Sequence, residues 1–197
     1  NDAVLLKKSD KNKIKISILG RPNSGKSTLT NFLLNSERQL VGELSGLTRD
    51  TISEEFVWNN KNYTIIDTPG LRKKSKIIDL VEKKSTKNSL KSVDESDISI
   101  LIVDSSVGFD KQDLLLSNYI EEKGKPFILA INKWDLVKNK KEAKNLITYK
   151  VSKSLSQNKG ICIVYISSKE GLGIENLMEN ISKIYNLSFK KLKTNKL

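Results

Sequence analysis

The chain of 197 residues contains no histidine, which removes imidazole catalysis and histidine metal ligands from consideration. It has a single cysteine, Cys162, inside the apolar run of residues 161–166. One cysteine forms no internal disulfide, so a reducing, cytoplasmic setting is expected. At that place a small core residue is a simpler reading than a reactive thiol. No apolar run approaches the ~18 residues a membrane helix needs, and no membrane partner is expected. Residues 1–13 are polar and charged, so no signal peptide is expected, and the missing initiator Met suggests a piece of a longer protein. Arginine is scarce, limited to Arg21, Arg38, Arg49 and Arg72.

Lysine, by contrast, is abundant, and the formal net charge is +12. Such a charge suits a polyanionic partner, most simply nucleic acid. A lysine bias with abundant Ile and Asn also fits an A/T-rich genome, so charge alone leaves both readings open. The length favours one domain with short tails.

Residues 1–12 read as a linker, polar and without apolar periodicity. Residues 13–19 read as a strand, 20–25 as a loop and 27–34 as a helix with Leu29, Phe32 and Leu33 on one side. Residues 35–51 read as a loop. Strands at 52–58 and 63–67 are joined through 59–62, a hairpin signal. A second loop, 67–76, leads to a helix through about residue 93. The continuous apolar run 98–103 reads as a strand covered on both faces. Then come a helix at 112–122, a strand at 126–131, a helix at 142–154, a strand at 161–166 and a helix at 174–185. Strands alternating with helices predict an α/β sheet, mostly parallel, with one antiparallel edge from the hairpin. Residues 189–197 read as a lysine-rich tail after a domain spanning 13–188.

Gly20-Arg21-Pro22-Asn23-Ser24-Gly25-Lys26-Ser27 satisfies GxxxxGK(S/T) between an apolar strand and a helix. Glycines let the backbone bend until successive amides point into one concavity, and the helix start adds partial positive charge. Lys26 would bridge the β- and γ-phosphates, the Ser27 hydroxyl would ligate Mg²⁺, and Thr28 closes the set of expected phosphate-loop contacts. Asp67-Thr68-Pro69-Gly70 is a DxxG sequence after a strand. Asp67 would hold Mg²⁺ through water, and the Gly70 amide would meet the γ-phosphate where a side chain would block approach. Thr48, in the loop between, would complete the Mg²⁺ and γ-phosphate contacts when that loop orders, with Thr51 as a rival. Lys26, Thr48 and Gly70 are thus the candidate catalytic residues.

Asn132-Lys133-Trp134-Asp135 is NKxD after a strand. The Asp135 carboxylate would accept from guanine N1–H and the N2 amino group; adenine offers neither donor, and binding it would strand a buried charge. The Lys133 stem would lie along the base, and Asn132 would tie this loop to the phosphate loop. After the last strand, Ser167 would brace Asp135, the Ser168 amide would donate to guanine O6 and the Lys169 stem would cover the other base face. Four motifs in order, each after a strand, point to guanine-nucleotide binding.

The stretches GRPNSGKSTLTNFLL, GLTRDTI, IIDTPGLRKKSKI, VEKKSTKNSLKSVDESD and AINKWDLV resemble translation-factor-related GTPases, and more narrowly the second G domain of the Der (EngA) family of tandem-G-domain ribosome-assembly GTPases. The resemblance covers residues 13–187. It implies a Ras-like fold with a six-stranded mixed sheet, Mg²⁺-dependent GTP hydrolysis, and a role in large-subunit assembly. It also implies partners in rRNA, a sister G domain and a KH-like domain following the tail. DTPG departs from the family's DTAG. Leu71 stands where Ras-like proteins carry a water-orienting Gln and cannot hydrogen-bond water. The resemblance implies that Asn23, with the loop at 36–50, binds K⁺ against the phosphates, supplying charge in place of an arginine finger. The alternative is that Asn23 only pins the turn. Arg72, Lys73, Lys74 and Lys76 would touch rRNA or the sister domain, or form a solvated face. Trp58 and Trp134 read as packing residues. Two other functions compete: a related tRNA-modification or small-subunit-assembly GTPase, against which residues 81–97 speak, and a low-turnover guanine-nucleotide sensor, which Leu71 keeps open.

Overall fold

The computed structural model describes residues 13–37, 53–66, 90–155 and 160–194, with side chains through residue 188. The expected linker, the two switch loops with Thr48, Thr51, Asp67, Thr68, Pro69, Gly70, Leu71 and the Arg72 to Lys76 cluster, and most of the family-specific segment after residue 80 lie outside the described residues.

Six strands form one sheet: β1 (Lys13–Gly20), β2 (Glu54–Trp58), β3 (Lys61–Ile65), β4 (Ile98–Asp104), β5 (Phe127–Asn132) and β6 (Cys162–Tyr165). Their order is β2-β3-β1-β4-β5-β6. Every neighbouring pair is parallel except β2 with β3. The helices are α1 (Lys26–Glu37), α2 (Lys111–Glu122), α3 (Lys140–Ser154) and α4 (Ile174–Thr194), with a further helical stretch at residues 90–95. This is the mostly parallel α/β sheet with one antiparallel edge that the alternation of elements predicts, with the six strands and Ras-like fold that the resemblance implies.

The core has two layers because the central strands bury both faces. On β4, Ile98, Ile100 and Ile102 join a cluster with Leu29 and Leu33 of α1 and Leu177, Met178 and Ile181 of α4. Leu101 and Val103 point the other way, to Ile120 of α2 and Ile147 and Val151 of α3. A continuous apolar run is what such a strand requires. Trp134 is buried in the second cluster, its ring centroid 4.4 Å from that of Tyr165. Trp58 packs at the edge of the first. Both tryptophans are packing residues. Cys162 is half-buried against the first cluster, and burial pushes its thiol pKa up, disfavouring the thiolate.

Two of the boundaries that differ from the sequence reading have a plain physical cause. The hairpin link is two residues, not four: Lys61 and Asn62 pair with Trp58 and Val57, leaving Asn59 and Asn60 at φ 48° and 61°. Asparagine tolerates the left-handed region, and two such residues make the turn whose twist matches paired strands. The last helix runs to Thr194, into the expected tail. No Gly or Pro interrupts residues 174–197, so nothing in the sequence stops it at residue 185. Among the described residues no helix is long and apolar enough to cross a membrane.

Candidate functional site

The C-terminal ends of β1, β4, β5 and β6 line one edge of the sheet, where parallel α/β sheets place their ligands. Gly20 ends β1 and pairs in register with Ile102. Its φ is 148°, and a Cβ there would run into the Ile102 carbonyl. Gly25 sits at φ 105°, and its Cβ would strike the Asn132 carboxamide. Both glycines are therefore set by close approach of backbone to neighbours. Asn23 is exposed at φ 60°, a left-handed position that asparagine occupies at low cost.

Helix α1 opens at Lys26 directly from this loop. Its first described capping contact is the bond from the Leu29 amide to the Gly25 carbonyl, 2.9 Å. The amides of Gly25, Lys26, Ser27 and Thr28 find no acceptor among the described residues. Unspent donors at a helix start form an anion cradle. The Lys26 ammonium lies across the loop, donating to the carbonyls of Gly20 and Arg21 at 2.7 Å each. Burial lowers its pKa to about 8.

The sign of that shift gives a prediction. The free lysine loses its charge as pH rises through about 8, and a bound diphosphate would restore it. GDP affinity is therefore greatest below that pH and falls above it, by at most roughly tenfold per pH unit. Calorimetric titration on either side of pH 8 checks this; an affinity that stays level would remove Lys26 from the phosphate contacts.

Asn132, 2% exposed, is the hub of the site. Its Nδ2 donates to the Ser24 carbonyl at 2.8 Å, and its Oδ1 accepts from both the amide and the hydroxyl of Ser168 at 2.9 Å. Backbone bonds from Trp134 to Ile166 (3.0 Å) and from Ile166 to Ile131 (2.8 Å) stitch the same two loops. The phosphate loop, the NKxD turn and the Ser167–Lys169 loop are thus tied to one another by hydrogen bonds. Gly171, against the Phe32 ring at 2.7 Å from a would-be Cβ, brings the last loop onto α1.

Asp135 lies in a short 3-10 turn, Trp134–Leu136, with its side chain exposed and unpaired among the described residues. That leaves both carboxylate oxygens available. Three residues here have partners that the sequence reading does not name. Ser167 Oγ accepts from the Glu170 amide at 3.2 Å, and no bond joins it to Asp135 among the described residues. The Ser168 amide donates to Asn132 Oδ1, which also accepts from the Ser168 hydroxyl. The Lys133 ammonium is held by Asp104 at 2.6 Å. Lys169 is largely exposed, 3.3 Å from Glu170.

Asp104 was not legible as a site residue from its motif, although it ends the β4 run and pairs in register with Asn132. Burial alone would raise its pKa, but hydrogen bonds from Lys133 and Ser106 outweigh that and hold it below the ordinary value. Ser105 adds a bond from its hydroxyl to the Lys133 carbonyl, 3.1 Å, fixing Lys133 at φ 61°. Arg21, expected among the nucleotide contacts through its place in the phosphate loop, also has side-chain partners that no motif names. Its guanidinium is directed away from the cradle to Gly108, Asp110 and Asp113.

The residues fit a polyphosphate: an amide cradle, a half-buried ammonium, and the Ser27 hydroxyl beside them on the first turn of α1. Ser27 is the hard oxygen that the described part of the site offers Mg²⁺. No group of three or more acidic, Cys or His side chains among the described residues forms a metal site by itself.

A family model of 50S ribosome-binding GTPases matches residues 15–133. The chain is 35% identical over 184 residues to GTPase Der of Brucella abortus, covering 93% of this chain and 38% of that protein. It is 39% identical over 184 residues to GTPase Der of Bartonella bacilliformis, covering 93% of this chain and 39% of that protein. The chain therefore spans about two fifths of the length of these curated relatives. Among solved structures, Era in complex with MgGDPNP and a segment of 16S ribosomal RNA aligns with a TM-score of 0.67 and 28% identity, over 87% of this chain and 56% of that one. With a phosphate loop and a guanine-type turn joined through Asn132, on a sheet of this order, the chain belongs to the family of 50S ribosome-binding GTPases and constitutes one G domain of it.

Proposed function

We propose that this G domain binds GTP and GDP with Mg²⁺ and hydrolyses GTP to GDP and phosphate, as the second G domain of a Der-type protein acting in large-subunit assembly. The observation that carries the nucleotide reading is the Asn132 carboxamide, which bonds the phosphate loop on one side and the base loops on the other. A nucleotide's two ends need such a fixed separation. In-line attack by water loads charge onto the terminal phosphate oxygens. Lys26 and the loop amides would stabilise that charge, and Ser27, Thr48 and Asp67 would hold the Mg²⁺ that would help neutralise it. The loops around Thr48 and at 67–76 would order with the γ-phosphate and relax after its loss.

Asn23 at φ 60° is compatible with both of its readings, the turn residue and the K⁺ ligand. If it binds K⁺, GTP turnover in K⁺ buffer exceeds that in Na⁺ by roughly tenfold or more, the size expected for one added charge at the transition state. Equal single-turnover rates in the two buffers would remove the K⁺ site. The same assay weighs the sensor reading: turnover near the uncatalysed rate in both buffers, with tight GTP and GDP binding, would make the domain a reporter of nucleotide state. Titration with GTP, GDP and ATP tests the base reading first; ATP should compete at least ~100-fold less well than GDP.

Support for the ribosomal role comes from the family match, the Der relatives and the net charge of +12. The Era relative carries rRNA in its solved complex. Full-length protein co-sedimenting with large-subunit precursors would be the expected result, and co-sedimentation with small-subunit particles alone would overturn it. The sister G domain and a KH-like domain would then lie in the rest of the chain.

A further inference from the structure

We infer that Arg21 is a positioning residue that works through Asp113: its guanidinium ties the phosphate loop to the start of α2 and holds the loop in its nucleotide-receiving shape without touching the nucleotide. The inference rests on the nucleotide reading of the site.

All three guanidinium nitrogens are engaged. Nε donates to Asp113 Oδ1 at 3.2 Å, and Nη2 lies 3.0 Å from Asp113 Oδ2, a two-point pair. Nη1 meets Asp110 Oδ2 at 2.5 Å, and Nη2 also donates to the Gly108 carbonyl at 2.7 Å. The Arg21 side chain is 15% exposed and that of Asp113 is 0% exposed. A buried carboxylate of this kind is tolerable only with a fixed cation. Burial pushes the Asp113 pKa up, and the guanidinium opposes it.

The anchor on the far side is itself hydrogen-bonded in place. Asp110 and Asp113 are also the reciprocal cap of α2: Asp110 Oδ1 accepts from the Gln112 and Asp113 amides, and Asp113 Oδ2 accepts from the Asp110 amide at 3.1 Å. Phe109 and Ile120 on either side are in the core.

On the near side, the backbone of Arg21 carries the loop. Its carbonyl accepts from the Lys26 ammonium at 2.7 Å and from the Ser24 amide at 3.3 Å. The residue fixed by two carboxylates therefore seats the lysine that meets the phosphates. A lysine at position 21 would keep the charge but lose the planar fork that serves three acceptors at once.

The test is the dissociation rate of fluorescent GDP from wild type, Arg21→Ala, Asp113→Asn, the double variant and Arg21→Lys, with melting curves recorded without nucleotide. Each single variant should speed release by roughly tenfold, the double by no more than the larger single effect, and Arg21→Lys should fall between wild type and alanine. Arg21→Lys keeps a cation beside Asp113 and guards against a variant that fails to fold. Release unchanged in the folded fraction, with only the melting temperature lowered, would overturn the inference, leaving Arg21 a stabilising residue alone. Multiplied effects in the double variant would also overturn it, since Arg21 would then act on the nucleotide independently of Asp113. Wild type that takes up no GDP would sink the nucleotide reading itself, whereas wild type that binds beside an unaltered Arg21→Ala sinks only this inference.

Discussion

Asp135→Asn should lose GDP by roughly 100-fold and gain xanthosine diphosphate in its place. The carboxylate offers two acceptors, which match guanine N1–H and the N2 amino group. The amide keeps one acceptor and presents one donor, which matches the oxygen that xanthine carries at C2. The exposed Asp135 side chain has no partner among the described residues to compete for it. The substitution should therefore leave the fold intact and change only what the turn recognises. Competition of the two diphosphates for the same labelled ligand, with melting temperature as control, measures it. If the Asp135→Asn protein still prefers GDP over xanthosine diphosphate, another group reads the base.

Asn132→Ala should cost more, because it removes a joint and not a contact. Three bonds end on that carboxamide, from Ser168 N, from Ser168 Oγ and to the Ser24 carbonyl. Ser24 and Ser168 are both 2% exposed. Truncation leaves a buried carbonyl and a buried amide without partners, at about 1–3 kcal/mol each before any water enters. Stability to denaturant should fall by about 3 kcal/mol and GDP affinity by ~100-fold, as the phosphate and base loops lose their fixed spacing. Asn132→Asp is the sharper variant. It keeps the volume and the acceptor but sets a carboxylate against the Ser24 carbonyl, so it should be at least as damaging. Wild-type GDP affinity in the alanine variant would mean that the backbone bonds between residues 134 and 166 suffice to hold the loops together.

The sequence by itself determined the architecture and the nucleotide class. Continuous apolar runs at β4 and β5 demand cover on both faces, and glycines at 20 and 25 stand at the spacing a phosphate loop requires. The order of motifs along the chain maps onto consecutive strand ends because parallel strands deliver all their C-termini to one edge. These properties are local, or follow from chain order, and so can be read residue by residue. The partners of long polar side chains were decided only in three dimensions. Arg21 bonds to residues 87 to 92 positions away, and Lys133 to one 29 positions away. Nothing in a motif's spacing reports such distances. A guanidinium or an ammonium takes whichever buried acceptor the packing of β4, β5 and α2 brings within reach, because leaving that acceptor unpaired is the costlier state. The same rule pairs Ser168 with Asn132. The sequence named the pieces of the site, and the fold chose which of them hold one another.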